Sequence, residues 1–184
     1  KYENLKRILR EMDRVLVAYS GGVDSTLVLK TARDELSDSV LAVTALSETT
    51  PRHEREDAVQ LARELGADHR LVETRELDLE TFSENPKNKC YICKKLRFGQ
   101  LVDMAADLGC AAVIDGENVD HAGDYRPGTK AARELGVRSP LKEAGLTKTE
   151  VRALAKKLGL SVWDKPALAC LSSRFPYGDR KSVV

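Results

Sequence analysis

The chain has 184 residues, 42% of them hydrophobic, and its 30 basic and 29 acidic side chains leave a net charge of +1. That length suits one domain with a substantial core and room for the start of a second segment. Interspersed charge carries no footprint of a dedicated nucleic-acid binder but leaves room for a local basic groove, the lack of any apolar run near the roughly 20 residues of a membrane span excludes a membrane helix, and no hydrophobic leader opens the chain, so a cytoplasmic protein acting on a small molecule is expected.

An apolar, β-branched run over residues 15–19 predicts the first strand. It stops at Ser20-Gly21-Gly22, and the spacing of Val23, Leu27, Val28 and Thr31 predicts a helix directly after the turn. Two glycines let backbone approach a ligand, while the orphan N–H groups and partial positive charge of a helix start favour phosphate oxygens. Ser20 and Ser25 add hydroxyl groups, and Asp24 is suited to a magnesium ion that bridges phosphates. Neither Gly-x4-Gly-Lys-Ser/Thr nor Gly-x-Gly-x-x-Gly occurs, so no lysine stands ready for β- and γ-phosphates.

Val40–Leu46 predicts a second strand, followed by Ser47; residues 52–65 carry a helical pattern ending near Gly66, and residues 70–73 a third strand. Residues 89–109 predict a helix with Leu96, Leu101, Met104, Ala105 and Leu108 on its apolar side and Gly109 after its end. Residues 111–114 form a buried strand that runs into Asp115-Gly116-Glu117-Asn118. This alternation predicts an α/β fold, a doubly wound parallel sheet with right-handed crossovers and both faces covered. Ligands bind beyond the carboxyl ends of such strands, where the 20–25 loop, Ser47 and the 115–118 loop all fall.

Four cysteines in such a chain argue against structural disulfides. Cys90 and Cys93 share a face at a helix start, where the helix terminus is expected to lower their pKa values toward thiolate. Cys170 lies in a loop-like segment, and Cys110 enters the last strand among small apolar neighbours and reads as core. Zinc would need a fourth donor, for which only His121 is suitably placed; three thiolates suit an iron-sulfur cluster with one open iron; and no metal is the third possibility. Among charged loop residues, Glu117, Asp120 and Arg126 are candidates for substrate or metal, and Tyr91 either stacks on a ring or packs.

Ser-Gly-Gly-Val-Asp-Ser resembles the pyrophosphate (PP) loop of the ATP pyrophosphatase superfamily. With Asp115-Gly116-Glu117-Asn118, Asp124-Tyr125-Arg126-Pro127-Gly128 and the segment from Lys165 to Arg174 around Cys170, the chain resembles the ATP-dependent sacrificial sulfur transferases, the LarE family, over nearly its whole length. The stretch Gly145-Leu146-Thr147-Lys148-Thr149-Glu150-Val151-Arg152 is also similar to tRNA thiolases and synthetases of that superfamily.

The resemblance implies that a carboxylate of a pyridinium-dicarboxylate mononucleotide attacks the α-phosphorus of ATP, releasing pyrophosphate, and that a sulfur nucleophile then displaces AMP, in nickel-pincer nucleotide cofactor biosynthesis. It implies ATP and Mg²⁺ at Ala18, Ser20, Gly21, Gly22, Val23, Asp24, Ser25, Ser47 and Gly116. Sulfur then comes either from Cys170 itself, which becomes dehydroalanine, or from a [4Fe-4S] cluster held by Cys90, Cys93 and Cys170. Arg174 would stabilise the Cys170 thiolate. The resemblance also implies a homo-oligomer, a PP-loop domain over residues 1–160, and a C-terminal sulfur-transfer segment beginning at 161–184, of which a further portion is expected. A tRNA thiolase, an ammonia-dependent NAD synthetase and a non-catalytic nucleotide-binding module are the alternatives.

Overall fold

The computed structural model describes residues 1–121, 127–166, 170–174 and 176–179. Four strands, β1 (Val15–Ala18), β2 (Val40–Leu46), β3 (Asp68–Glu73) and β4 (Ala112–Ile114), form one sheet in the order β3-β2-β1-β4. Every pairing is parallel, with Val15 beside Val40 and Ala112, and Leu41 beside Asp68. The helices between and beyond them are α1 (Tyr2–Arg10), α2 (Val23–Leu36), α3 (Arg52–Glu64), the single turn α4 (Glu80–Ser83), α5 (Lys89–Asp107), α6 (Pro127–Glu134), the short α7 (Pro140–Glu143) and α8 (Lys148–Lys157).

The period-two alternation of side chains sends successive strand residues to opposite faces. Val15, Val17, Val40, Ala42 and Ile114 face one layer, where Leu5 and Leu9 of α1, Leu27 and Val28 of α2, Leu61 of α3 and Val151 of α8 complete the larger core. Leu16, Leu41, Val43 and Val113 face the other, packed by Phe98, Leu101 and Ala105 of α5 and Ala132 of α6. The doubly wound expectation is met, and the central strands read as continuous apolar runs because both faces are covered.

Edge strand β3 starts two residues earlier than its sequence pattern suggested. Asp68, Arg70, Leu71 and Glu73 are exposed there, so the first two residues, Asp68 and His69, carry no apolar signal. At the end of α5 the backbone N–H of Cys110 closes onto the Ala105 carbonyl at 2.8 Å. Cys110 therefore belongs to the helix end rather than to a strand and is only partly buried, which corrects its reading as a core strand residue. No helix among the described residues is long and apolar enough to cross a membrane.

Candidate active site

Strands β1 and β4 lie side by side, yet the chain leaves β1 toward β2 and reaches β4 only after β3, so connections diverge at the β1/β4 boundary. Such a switch point opens a crevice at the carboxyl ends of the two strands. The 19–22 turn fills one side of it. Gly21 has φ +70°, and a Cβ there would come within 3.0 Å of the Ala58 backbone in α3, so glycine is required by the turn and by helix contact. Gly22 is extended (φ −82°, ψ 161°) and caps α2. The N–H groups of Val23, Asp24 and Ser25 in the first turn then have no intrahelical acceptor and suit an anion.

Hydroxyl groups tie this loop before any ligand arrives. Ser25 Oγ donates to the Gly22 carbonyl at 3.2 Å, accepts the Ser20 N–H at 3.3 Å and lies 3.1 Å from Ser20 Oγ. From the other side of the crevice, Gly116 comes so close that a Cβ would sit 2.7 Å from Ser25 N and 3.0 Å from the Asp24 carbonyl carbon.

Asp24 is not a free carboxylate. Its Oδ1 accepts from Asn118 Nδ2 at 2.9 Å, and its Oδ2 is ion-paired with Lys148 Nζ. Lys148 is the first residue of α8, fixed there by the Thr147/Glu150 capping box and by its own N–H donating to Asp120 Oδ2 at 2.8 Å. The loop motif itself carries no lysine, but the fold brings one to Asp24 from 124 positions away. Lys165 stands nearby, paired with Asp57 at 2.8 Å, while Arg152 binds the carbonyls of Trp163 and Lys165 at 3.1 and 2.9 Å. Ser20, Val23, Asp24, Glu54, Lys148 and Lys165 line a cavity of about 240 Å³.

A second cavity of about 740 Å³ is lined by Ala18, Ser20, Gly22, Asp24, Ser25 and Gly116, and also by Cys90, Cys93, Lys94 and Arg97 of α5 and by Cys170. Three of the four cysteines thus meet the PP loop in one space. At Cys93 the electrostatics differ from the helix-start expectation. Cys93 is pushed up to about 12, first by burial; Glu76 and Cys170 add to the shift and Arg97 opposes it. A helix terminus lowers a thiol pKa only where desolvation does not dominate. Cys93 Sγ donates to Glu76 Oε1 at 3.6 Å. Glu76 is fully buried, ion-paired with Arg97 and hydrogen-bonded by Thr74 at 2.9 Å.

Among the described residues no three histidine, cysteine or acidic side chains are gathered closely enough to hold a metal ion. Cys90, Cys93 and Cys170 therefore share a cavity without forming a ready ligand set.

Ser47 does not line either cavity. Its hydroxyl is held between Thr49 Oγ1 (2.8 Å) and Arg97 Nη2 (2.7 Å), while Thr49 and Thr50 form that part of the wall. Glu117 and Asp115 do line the larger cavity. Burial works to raise the Glu117 pKa, but hydrogen bonds from Lys142 (2.7 Å) and Thr129 (3.0 Å) outweigh it and the net shift is downward. Asp115 is raised, first by burial, against hydrogen bonds from Ser139 Oγ and the Glu117 N–H. Tyr91 packs toward α6, its hydroxyl donating to Glu134 at 2.7 Å. Arg126 and the side chains of His121 and Arg174 lie outside the described residues.

Residues 4–102 match the NAD synthase family model. A Synechocystis sp. protein of uncharacterized activity is 50% identical over 183 residues, covering 100% of this chain and 68% of that protein. The chain belongs to the NAD synthase family. Within that ATP-using PP-loop family, the pyridinium-3,5-bisthiocarboxylic acid mononucleotide synthase of Lactiplantibacillus plantarum is 47% identical, over 97% of this chain and 65% of the synthase. The chain spans about two thirds of the length of these two relatives. The ammonia-dependent NAD synthetase of Campylobacter jejuni superposes with a TM-score of 0.70 at 23% identity, over 89% of this chain and 75% of that one, which fits the observed fold.

The residues missed in sequence are Lys148, Lys165, Arg97 and Glu76. The capping box Thr147-x-x-Glu150 was a visible signal that Lys148 opens a helix, and Arg97 stands one turn beyond Cys93 on the same face.

Proposed function

We propose that this chain carries out ATP-dependent sulfur transfer to a carboxylate of a pyridinium mononucleotide, in nickel-pincer cofactor biosynthesis. The observation that carries this reading is the meeting of Cys170 with Ser20, Gly22, Asp24 and Gly116 around one cavity, in a chain 47% identical to a synthase of a bisthiocarboxylic acid mononucleotide.

ATP lies with its phosphates at the start of α2, where the backbone N–H groups of residues 23–25 and the ammonium groups of Lys148 and Lys165 take the negative charge. Asp24, its carboxylate held by Asn118 and Lys148, would hold the Mg²⁺ that accompanies ATP, and that ion would neutralise part of the phosphate charge. A substrate carboxylate oxygen attacks the α-phosphorus, and pyrophosphate leaves. The chain does little covalent work in this step; positioning and charge stabilisation are its part.

The Cys170 thiolate then attacks the acyl carbon and AMP departs with the electron pair of the cleaved C–O bond. Removal of the Cys170 α-proton breaks its Cβ–S bond, leaving sulfur on the substrate as thiocarboxylate and dehydroalanine in the chain. Because the three thiols do not form a ready ligand set, no step is assigned to a [4Fe-4S] cluster. The mass of Cys170 before and after turnover tests the reading.

A further inference from the structure

Cys170 is itself exposed, so burial of its own side chain does not fix its position. Among the described residues, the segment around it is tied to Asn85 and Lys89, about 80 residues earlier. Lys89, at the start of α5, is only 4% exposed. Its ammonium donates to Asn85 Oδ1 at 2.9 Å and to the Ser172 carbonyl at 2.7 Å, and lies 4.7 Å from the centre of the Tyr177 ring. Asn85 is fully buried with φ +54°; its Nδ2 donates to the Pro176 carbonyl at 2.5 Å, and its carbonyl accepts the Gly178 N–H at 3.1 Å. A further tie runs from Leu171 N to the Thr49 carbonyl at 3.3 Å.

A buried ammonium is costly unless its surroundings replace water, and among the described residues no carboxylate pairs with Lys89. Its partners are two neutral oxygens and a ring face, and the bond to Ser172 falls two residues from Cys170. An ion pair would serve stability as well. A lone cation aimed at a carbonyl fixes where one strand of chain runs. We infer that Lys89 and Asn85 are positioning residues that hold Cys170 against the PP-loop cavity. This rests on the sulfur-transfer reading: adenylation needs the phosphate loops, Lys148 and Lys165 but no thiol, whereas thiol attack needs the sulfur within reach of the acyl carbon.

Lys89→Met and Asn85→Gly test it in the full chain. Glycine accepts the positive φ of Asn85 and keeps its backbone bond to Gly178 while removing the side-chain bonds to Lys89 and Pro176. Two quantities are read: the thiocarboxylate formed per pyrophosphate released, and the hydrogen-exchange protection of the Leu171 and Gly178 amides. Both variants are expected to release pyrophosphate within about threefold of wild type, to lose about tenfold or more in thiocarboxylate per pyrophosphate, and to lose about tenfold in protection at both amides. Asn85→Gly carries the test should Lys89→Met not fold. Wild-type coupling in a folded variant overturns the inference, whether or not protection changes, and so does unchanged protection. If wild-type protein releases pyrophosphate but makes no thiocarboxylate, the function reading fails separately, and the amide protection alone then decides whether these residues hold the segment.

Discussion

Replacing Gly116 by alanine should force the 115–118 loop away from the start of α2, where the nucleotide is proposed to bind. The added Cβ would stand 2.7 Å from Ser25 N, where ordinary contact begins at 3.4 Å, and 3.0 Å from both the Asp24 carbonyl carbon and Ser25 Cα. All three atoms are backbone in the first turn of α2, so relief requires the two loops to separate by about 0.7 Å, the difference between 3.4 and 2.7 Å. Overpacking of this kind costs about 1–3 kcal/mol. At about 2–4 °C per kcal/mol for a chain of this size, the melting temperature should fall by about 2–12 °C. A displacement approaching 1 Å at reacting groups costs up to about 100-fold in rate, so substrate-dependent pyrophosphate release should drop about 10–100-fold in protein that remains folded. Gly99→Ala is the control, since a Cβ there meets nothing within 4 Å and the residue is helical. It should raise stability by up to about 1 kcal/mol and leave pyrophosphate release unchanged. Thermal melts and a pyrophosphate assay on both variants decide the matter. Wild-type melting and wild-type release by Gly116→Ala would refute the close approach of the two loops as the frame of the site.

Lys148→Met removes the cation that sits on Asp24. A charged hydrogen bond to phosphate contributes about 1.5–3 kcal/mol, so ATP should bind about 10–100-fold more weakly while AMP changes far less; an unchanged ratio of ATP to AMP affinity by calorimetry would remove Lys148 from the phosphate site. Cys93, raised to about 12 by burial, should keep its proton through neutral pH, so its alkylation, resolved by mass spectrometry, should climb about tenfold per pH unit from pH 7 to 11 without levelling off. A plateau below pH 9 would contradict that environment.

The sheet was legible because β2 and β1 are buried on both faces and consist of little but apolar residues, and because glycine and polar turns interrupt the pattern at each strand end. β3 was less so, for an edge strand with one solvated face tolerates Asp68, His69 and Arg70. The convergence of the 20–25 and 115–118 loops followed from parallel order alone. Ser47 fell at the predicted strand end, but Arg97 turns its hydroxyl to a structural task. The pairing of Lys148 with Asp24 was not legible, because a lysine at a helix start looks like any solvated lysine until the chain folds back on Asp24. The Cys93 reading reversed for a related reason. Spacing gave its place on the helix, but neither the burial nor the Glu76 carboxylate beneath it has a local sequence signature.

The central claim, that Cys170 gives its own sulfur to an adenylated carboxylate, is tested most directly by the intact and peptide-resolved mass of the chain after anaerobic turnover with ATP, Mg²⁺ and the pyridinium-dicarboxylate mononucleotide. The account predicts that the peptide containing Cys170 loses the mass of one hydrogen sulfide, with one thiocarboxylate formed per chain and Cys90, Cys93 and Cys110 unchanged. An intact Cys170 with repeated thiocarboxylate formation on added sulfide would contradict it and transfer the role of donor to a hydrosulfide on an iron-sulfur cluster that Cys90, Cys93 and Cys170 would hold.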